Sequence, residues 1–298
     1  MKKRNRRTDL ALEAHQLWQE NVEKTTLLSG VQAQEQVRNG LTVSTVRILN
    51  QQGSDALGKP IGTYVTITLD QIDRRERSTF SQIVSAISQE LTPMLPQDTF
   101  HSPVLVAGLG NRSITPDSIG PKTVEHTLVT RHLVEQLPEH FSSFRPVASV
   151  STGVLGNTGM ESGEMVESLC RSLNPSCVLA VDALASRSSE RLCRTIQIAD
   201  TGIIPGSGLG NHRHALTQET LGVPVIAIGV PTVVDAATLA ADLMDLEEPP
   251  ELNRGTSLLV TPNDIDSQTA ELSRIIGYAI SLALQPGLTV EDLEMMLN

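Results

Sequence analysis

Two aspartates follow apolar segments at positions where their carboxyl groups can meet. Asp182 directly follows the apolar segment Cys177–Val181, and Asp117 comes shortly after the apolar segment Val104–Ala107. The carboxyl ends of parallel strands lie at one edge of a sheet, so both aspartates are expected in one crevice. Two neighbouring carboxyl groups share a proton, and such a pair activates water for amide hydrolysis.

Each aspartate also has a simpler interpretation when it is taken alone. Thr115 can cap a helix that starts at Pro116, which makes Asp117 an acid of the first helical turn, where the helix dipole favours a carboxylate. Asp182, at the end of a strand, could hold Mg²⁺ or cap a loop. The residues themselves leave these alternatives open.

Two glycine-rich segments are candidate pocket loops. The segment from Gly108 to Asn111 differs from a dinucleotide fingerprint, because the third glycine would fall at Ser113. Asp200-Thr-Gly matches a tripeptide of pepsin-like proteases, but it occurs once and in an α/β pattern, so we interpret the match as coincidental. A glycine-rich segment that could cover a cleft follows it. The candidate pocket residues are Asn111, Thr115, Asp200, Gly206 and Gly208.

Metal and thiol chemistry receive little support. His212 and His214 form an H-x-H pair without a third ligand at fixed spacing, so a solvated loop is the simpler interpretation and no metal or other cofactor is predicted. Cys170, Cys177 and Cys193 lack C-x-x-C spacing and lie in apolar surroundings, which indicates buried side chains in a reducing compartment. No histidine is placed by sequence to activate them as nucleophiles.

The order of apolar segments predicts an α/β fold. An amphipathic helix is expected within residues 8 to 28, followed by a β-hairpin at about 30–50 that turns at Asn39-Gly40. Beyond Ile61, apolar strands alternate with helix-length segments, which predicts one domain of three layers, α/β/α, around a mainly parallel sheet. The expected strands are Tyr64–Leu69, Val104–Ala107, Val147–Val150, Val178–Val181, Thr195–Ile198, Val223–Ile228 and Leu258–Val260.

Charge and composition exclude several classes of protein. The formal net charge is −11, but residues 1 to 7 hold five basic groups and no acid, which leaves −16 on the rest of the chain. Such an acidic body repels nucleic acid. Only seven of the 298 residues are aromatic, too few for a base-stacking surface. Apolar windows are too short to span a membrane, and the basic run lacks the apolar stretch of a signal peptide, so a cytoplasmic location is expected.

Six motifs follow one another along the chain: Arg7–Ala14, Leu57–Tyr64, Gly108–Asn111 with Thr115-Pro-Asp117, Gly156–Glu161, Ala180–Ala185, and Asp200–Ile203 with Pro205–Gly208. In this order they resemble the germination protease family of endospore-forming bacteria, and the match extends over nearly the whole chain from residue 6. The resemblance implies a fold akin to hydrogenase maturation proteases, a homotetramer, and an atypical aspartic endopeptidase that starts the degradation of small acid-soluble spore proteins in the forespore and spore core. By motif, the two catalytic aspartates of the family correspond to Asp117 and Asp182.

The resemblance also implies a zymogen that removes its own N-terminus. The family cuts within a stretch of hydroxyl residue, acid, apolar residue, Ala, any residue and Glu, and Thr8–Glu13 is similar to that stretch. The implied autoprocessing site lies between Asp9 and Leu10, with residues 1–9 as propeptide and 10–298 as protease domain. Cleavage there would shift the net charge to −15.

Two other functions remain as alternatives. One is a metal-sensing endopeptidase of the hydrogenase maturation type, which binds nickel or cadmium through carboxylates and a histidine. The other is a non-enzymatic α/β module in which the glycine-rich loops bind an anion and the aspartates are structural. Chelators test the first alternative, and loss of residues 1–9 on incubation excludes the second.

Overall fold

The computed structural model describes residues 8–21, 28–69, 77–97, 99–205, 214–244, 246 and 258–297. Within these ranges, we find no helix with the length and apolar character needed to cross a lipid bilayer. All strands of the described residues belong to a single sheet with the order β1-β2-β3-β7-β8-β6-β4-β5, and β9 pairs with β8. The strands are β1 Val31–Arg38, β2 Leu41–Ile48, β3 Gly62–Thr68, β4 Val104–Leu109, β5 Val147–Gly153, β6 Cys177–Ser186, β7 Thr195–Ala199, β8 Val225–Asp235 and β9 Leu259–Val260.

The sheet has a parallel half and an antiparallel half. The neighbours β8, β6, β4 and β5 run parallel, with Val104 opposite Cys177 on one side and Val147 on the other. The strands β1, β2, β3 and β7 extend the sheet in antiparallel pairs. The antiparallel pairing of β1 with β2 follows from the short turn at Asn39 and Gly40, which both have positive φ.

Helices cover both faces of the sheet. On the first face, α3 and α11 pack on the alternate apolar residues of the strands, such as Val106, Leu179 and Ile228. On the second face, α8 and α9 pack on Leu105 and Ala180, and α1 packs near Tyr64 and Ala199. The α-helices are α1 Ala11–Asn21, α2 Gln51–Leu57, α3 Arg77–Leu91, α4 Ile119–Glu125, α5 Arg131–Gln136, α6 Pro138–Phe141, α7 Leu155–Thr158, α8 Ser162–Leu173, α9 Gln218–Leu221, α10 Ala236–Leu243, α11 Ile265–Leu284 and α12 Val290–Leu297.

This architecture confirms the predicted α/β class, the N-terminal helix and the β-hairpin. Two details differ from the sequence-based expectation. The antiparallel half makes the sheet mixed, because β7 pairs antiparallel with both of its neighbours. The helix expected to start at Pro116 is instead a 3-10 turn, Thr115–Asp117, followed by the short helices α4 and α5.

Candidate active site

Asp182 lies on β6 near the carboxyl edge of the parallel strands. Its side chain is buried, with 5% exposure, and its Oδ1 accepts a hydrogen bond of 2.9 Å from the main-chain N–H of Ala183. Across the sheet, Asp182 is paired with Gly229 of β8. Alternation along β6 puts its side chain on the second face, together with Leu184. The buried position confines Asp182 to one orientation at the sheet edge.

Asp117 is the last residue of the 3-10 turn Thr115–Asp117. Its Oδ2 accepts a hydrogen bond of 2.8 Å from the main-chain N–H of Asn111, in the loop that follows β4. Gly110 makes this approach possible: its φ is +106°, and a Cβ there would lie 2.2 Å from the Asp117 carbonyl oxygen. The prediction that Thr115 caps a helix is wrong, because its side chain makes no capping hydrogen bond. Asp117 lies before α4 and not in the first turn of that helix.

Close glycine contacts bring the turn that carries Asp117 to the strand that carries Asp182. A Cβ on Gly120, in the first turn of α4, would lie 2.4 Å from the Val181 carbonyl oxygen and 2.2 Å from that of Leu109. A Cβ on Gly108 would lie 2.3 Å from the carbonyl oxygen of Gly120. Because these positions are glycine, α4 rests directly on β4 and β6, and Cα atoms of the preceding turn lie within 8 Å of Cα atoms of β6.

The candidate pocket residues Asn111 and Thr115 lie around Asp117. The Asn157 side-chain amide donates to Asn111 Oδ1 at 3.2 Å, and Thr115 Oγ1 donates to Asp266 Oδ1 at 2.8 Å. These contacts tie the loop after β4 to α7 on one side and to α11 on the other. Asn111 thus holds Asp117 through its main chain and is itself fixed through its side chain.

The segment that begins at Asp200 lies at the antiparallel half of the sheet. Asp200 is exposed, and its Oδ1 accepts a hydrogen bond of 2.7 Å from the Thr63 main-chain N–H. Gly206, Gly208 and His212 lie outside the described residues, whereas His214 packs against Gly163 of α8. Within the described ranges, no group of three His, Cys, Asp or Glu residues is placed to hold a metal ion.

A cleft of about 630 Å³ lies on the second face of the sheet, on the same face as Asp182. It extends from α1 and α2 across β3 and β7 to Gly229, the neighbour of Asp182. Thr8, Asp9 and Trp18 line one end of it. The cleft therefore connects the predicted processing segment to the strand that carries Asp182.

The segment around Asp9 and Leu10 is bound along β6 and β7. The Asp9 main-chain N–H donates to the Ala185 carbonyl oxygen at 2.9 Å, and the Leu10 side chain is fully buried. The Asp9 carbonyl oxygen accepts hydrogen bonds from Lys59 Nζ at 3.0 Å and from Gln197 Nε2 at 3.3 Å. Sequence reasoning gave no binding role to Lys59, although it lies in the motif Leu57–Tyr64, or to Gln197, because neither residue type at its position indicates a ligand.

Glu13 anchors the same segment and was also missed as a structural residue. It is 1% exposed, and its carboxylate accepts the main-chain N–H groups of Arg187 at 2.7 Å and Ser188 at 3.1 Å. Arg191 Nε lies 3.4 Å from it, and the Thr8 hydroxyl also donates to it. Four donors thus bind one buried carboxylate, which holds α1 to the loop that follows β6.

Burial shifts several pKa values near the cleft and in the core. It lowers the pKa of the half-buried Lys59 ammonium, which the charges of Asp9 and Glu13 act to raise. It raises the pKa of Tyr64, whose hydroxyl donates to the Pro60 carbonyl oxygen, to about 12. The described cysteines are unpaired and buried, and burial raises the pKa to about 11 for Cys170 and Cys177 and to about 12 for Cys193. These thiols fit the predicted role of small core side chains.

Comparison with known proteins relates the whole chain to a peptidase family. The sequence model of the germination protease family matches residues 11–247. The germination protease of Clostridium perfringens is 40% identical, with 99% of each chain covered, and that of Clostridium tetani is 40% identical, with 98% of this chain and 99% of that protein covered. The germination protease of Bacillus cereus is 44% identical over 80% of this chain and 66% of its own length.

The chain belongs to the germination protease family and is a peptidase. Among solved structures, the NiFe hydrogenase maturation protease HycI from Thermococcus kodakarensis is similar to it, with 16% identity and a TM-score of 0.35. The match covers 64% of this chain and 98% of HycI.

Proposed function

We propose that this protein is an endopeptidase whose catalytic groups are the carboxylates of Asp117 and Asp182. The observation that carries the proposal is the packing of Gly120 on Val181 and Leu109, because it brings the turn of Asp117 against the strand of Asp182. Each carboxylate accepts one main-chain N–H, so each is held in place before a substrate arrives.

The two carboxyl groups have different roles in hydrolysis. Asp117 retains contact with solvent and takes a proton from the attacking water, while the more buried Asp182 carries a proton that polarises the carbonyl of the cleaved bond. The water oxygen adds to the carbonyl carbon, the C–N bond breaks, and the amine leaves with a proton from the pair. Asp117 passes the proton that it took from water to the leaving amine, and Asp182 regains the proton that it lent to the carbonyl oxygen, so the pair again holds one proton.

The proposed substrates are small acid-soluble spore proteins, cut during spore germination. The enzyme is made as a zymogen that cuts itself between Asp9 and Leu10, with residues 1–9 as propeptide and residues 10–298 as the protease domain. It works as a homotetramer in the cytoplasm of the forespore and in the spore core. Family membership supports this role, and sedimentation of the purified protein at about four times 32.1 kDa tests the tetramer.

Substitution of either aspartate tests the catalytic pair. Asp117→Asn and Asp182→Asn are each expected to slow cleavage of a peptide with the sequence of residues 6 to 14 by about 100-fold or more, since each removes one acid–base group. The same variants should retain residues 1–9, which intact mass spectrometry detects directly.

Asp264→Asn is the matched control. Asp264 is an exposed residue at the start of α11, where asparagine serves equally well, so this variant should cleave the peptide at the rate of the unaltered protein. Full activity in either Asp117→Asn or Asp182→Asn would falsify the catalytic pair. Purified small acid-soluble spore protein, offered to the same set of variants, tests the substrate.

A further inference from the structure

Thr8 and Asp9 lie in a slot formed by Lys59, Ala185 and Gln197. This slot recognises an acidic residue through the main chain of β6. The Ala185 N–H donates to Asp9 Oδ2 at 2.9 Å, while the Ala185 carbonyl oxygen accepts the Asp9 N–H at 2.9 Å. One residue of the sheet therefore binds both the backbone and the carboxylate of the same aspartate. An asparagine or an alanine at this position would lose the charge-assisted bond.

Two further donors converge on the carbonyl oxygen of that aspartate. Lys59 Nζ lies 3.0 Å from the Asp9 oxygen and also donates to the Thr8 oxygen at 3.2 Å. Gln197 Nε2 lies 3.3 Å from the Asp9 oxygen. Gln197 is buried, and its Oε1 accepts the Ala11 N–H at 2.8 Å, which fixes the side-chain amide so that Nε2 faces Asp9.

The slot lies on the same face of the sheet as Asp182. In the register of the strands, Asp182 is paired with Gly229, and Gly229 is paired with Gln197 on its other side. Paired residues direct their side chains to the same face, and two strand spacings separate the Cα atoms of Asp182 and Gln197 by about 10 Å. Gly229 carries no side chain, and the Leu184 side chain packs over it where the cleft reaches β8.

We propose that Lys59 and Gln197 form the subsite for the acidic residue on the acyl side of the cleaved bond, binding its carbonyl oxygen before hydrolysis and its new carboxylate afterwards. The ligand class is a peptide that presents a hydroxyl residue followed by an acid. This inference rests on the proposed function, because it takes Asp9–Leu10 as a bond that the enzyme cuts.

Hydrolysis strengthens this contact. Water adds OH to the Asp9 carbonyl carbon and a hydrogen to the Leu10 nitrogen as the C–N bond breaks, so a neutral carbonyl becomes a carboxylate and Leu10 gains an ammonium. The Lys59 ammonium then faces a full negative charge in a half-buried site, where a charge-assisted bond is stronger than a bond to a carbonyl. The fragment Met1–Asp9 is therefore a product that binds its own enzyme and competes with substrates.

The test compares two synthetic peptides with the sequence of residues 1 to 9, one ending in a free carboxylate and one in an amide. Both carry the same five basic residues, and the amide has one more unit of net positive charge, so general attraction to the acidic body would favour the amide and cannot produce a preference for the carboxylate. Binding to the processed protein is followed by the fluorescence of Trp18, the single tryptophan, which lines the same cleft. The carboxylate peptide is expected to bind at least about 10-fold more tightly than the amide.

Variants of Lys59 test whether the difference in affinity between the two peptides comes from the Lys59 ammonium. In Lys59→Met the two peptides should bind equally, Lys59→Arg should restore part of the preference, and the matched control Lys122→Met should keep it, because Lys122 contacts Thr269 of α11 instead. Equal binding of both peptides to the unaltered protein, or an unchanged preference in Lys59→Met, would overturn the subsite.

The proposed function and the subsite can fail separately. The processed protein is obtained by its own cleavage or, where that does not occur, by expression of the chain from residue 10, with its folding checked by circular dichroism. Absence of self-processing contradicts the proposed function, whereas the peptide measurement still reports on Lys59. Self-processing without a carboxylate preference contradicts the subsite alone.

Discussion

Asp182 and Asp117 obtain their positions by different means. Asp182 is part of a strand and is fixed by the register of β6 against its neighbours. Asp117 lies in a 3-10 turn and is held in part by the loop after β4, through the Asn111 N–H and the close approach that Gly110 permits. Substitutions in the loop after β4 should therefore act on Asp117 without altering the strand that carries Asp182.

At the scale of single residues, the three buried cysteines lead to a prediction about their reactivity. Because burial raises the pKa of all three thiols to about 11 or 12, almost no thiolate forms near neutral pH. Iodoacetamide at about pH 8 should leave both the mass and the activity of the folded protein unchanged, while the unfolded chain should gain three adducts. Rapid loss of activity with one adduct would instead indicate a thiol in the reaction.

At the scale of elements, the contact of α4 with β4 and β6 determines whether the two aspartates meet. Gly120→Ala places a methyl group 2.2 to 2.4 Å from main-chain atoms of Leu109 and Val181, so the helix must move away from the sheet. We expect a loss of about 2–3 kcal/mol in the free energy of unfolding and a larger loss of activity, measured by denaturant unfolding and by peptide cleavage.

Gly156→Ala is the control for this prediction. Gly156 lies in α7 with a negative φ, and a Cβ there meets no atom within 4 Å. This variant should unfold at the same denaturant concentration as the unaltered protein and cleave the peptide normally. Equal behaviour of the two alanine variants would show that the packing of α4 on the sheet does not set the position of Asp117.

The elements differ in how far the sequence determines them. The hairpin was predictable because Asn39-Gly40 supports two positive φ angles, and the buried strands because their apolar runs have no other interpretation. The break between Asp117 and α4 could not be predicted, since Thr115-Pro116 is equally compatible with a 3-10 turn and with the start of a helix. The subsite of Lys59 and Gln197 was beyond prediction because its hydrogen bonds join residues 50 to 188 positions apart.

At the scale of the whole molecule, pH affects stability through the half-buried His126. Burial, with a smaller effect of the Arg274 charge, lowers the pKa of His126 below its usual 6.5. As pH falls through 6.5 the unfolded chain takes up this proton first, so the folded state loses stability until pH reaches the lowered value. His126→Gln should therefore show a smaller drop in melting temperature between about pH 7.5 and 5.5 than the unaltered protein.

Thermal unfolding followed by circular dichroism at a series of pH values makes this measurement. Carboxylates contribute equally to the change in melting temperature with pH in both proteins, so their contribution cancels when the two proteins are compared. An identical slope in the two proteins would mean that His126 is protonated equally in the folded and unfolded states.

The binding of Thr8–Glu13 to β6 and β7 also has a consequence for biosynthesis. Asp9, Ala11 and Glu13 bond to partners that lie 174 to 188 residues later in the chain. At translation rates of about 5 to 20 residues per second, the ribosome needs about 10 to 40 s to make those partners after the segment itself. The nascent segment Thr8–Glu13 thus lacks its partners on β6 and β7 during most of translation, and it docks only as synthesis of the sheet is completed.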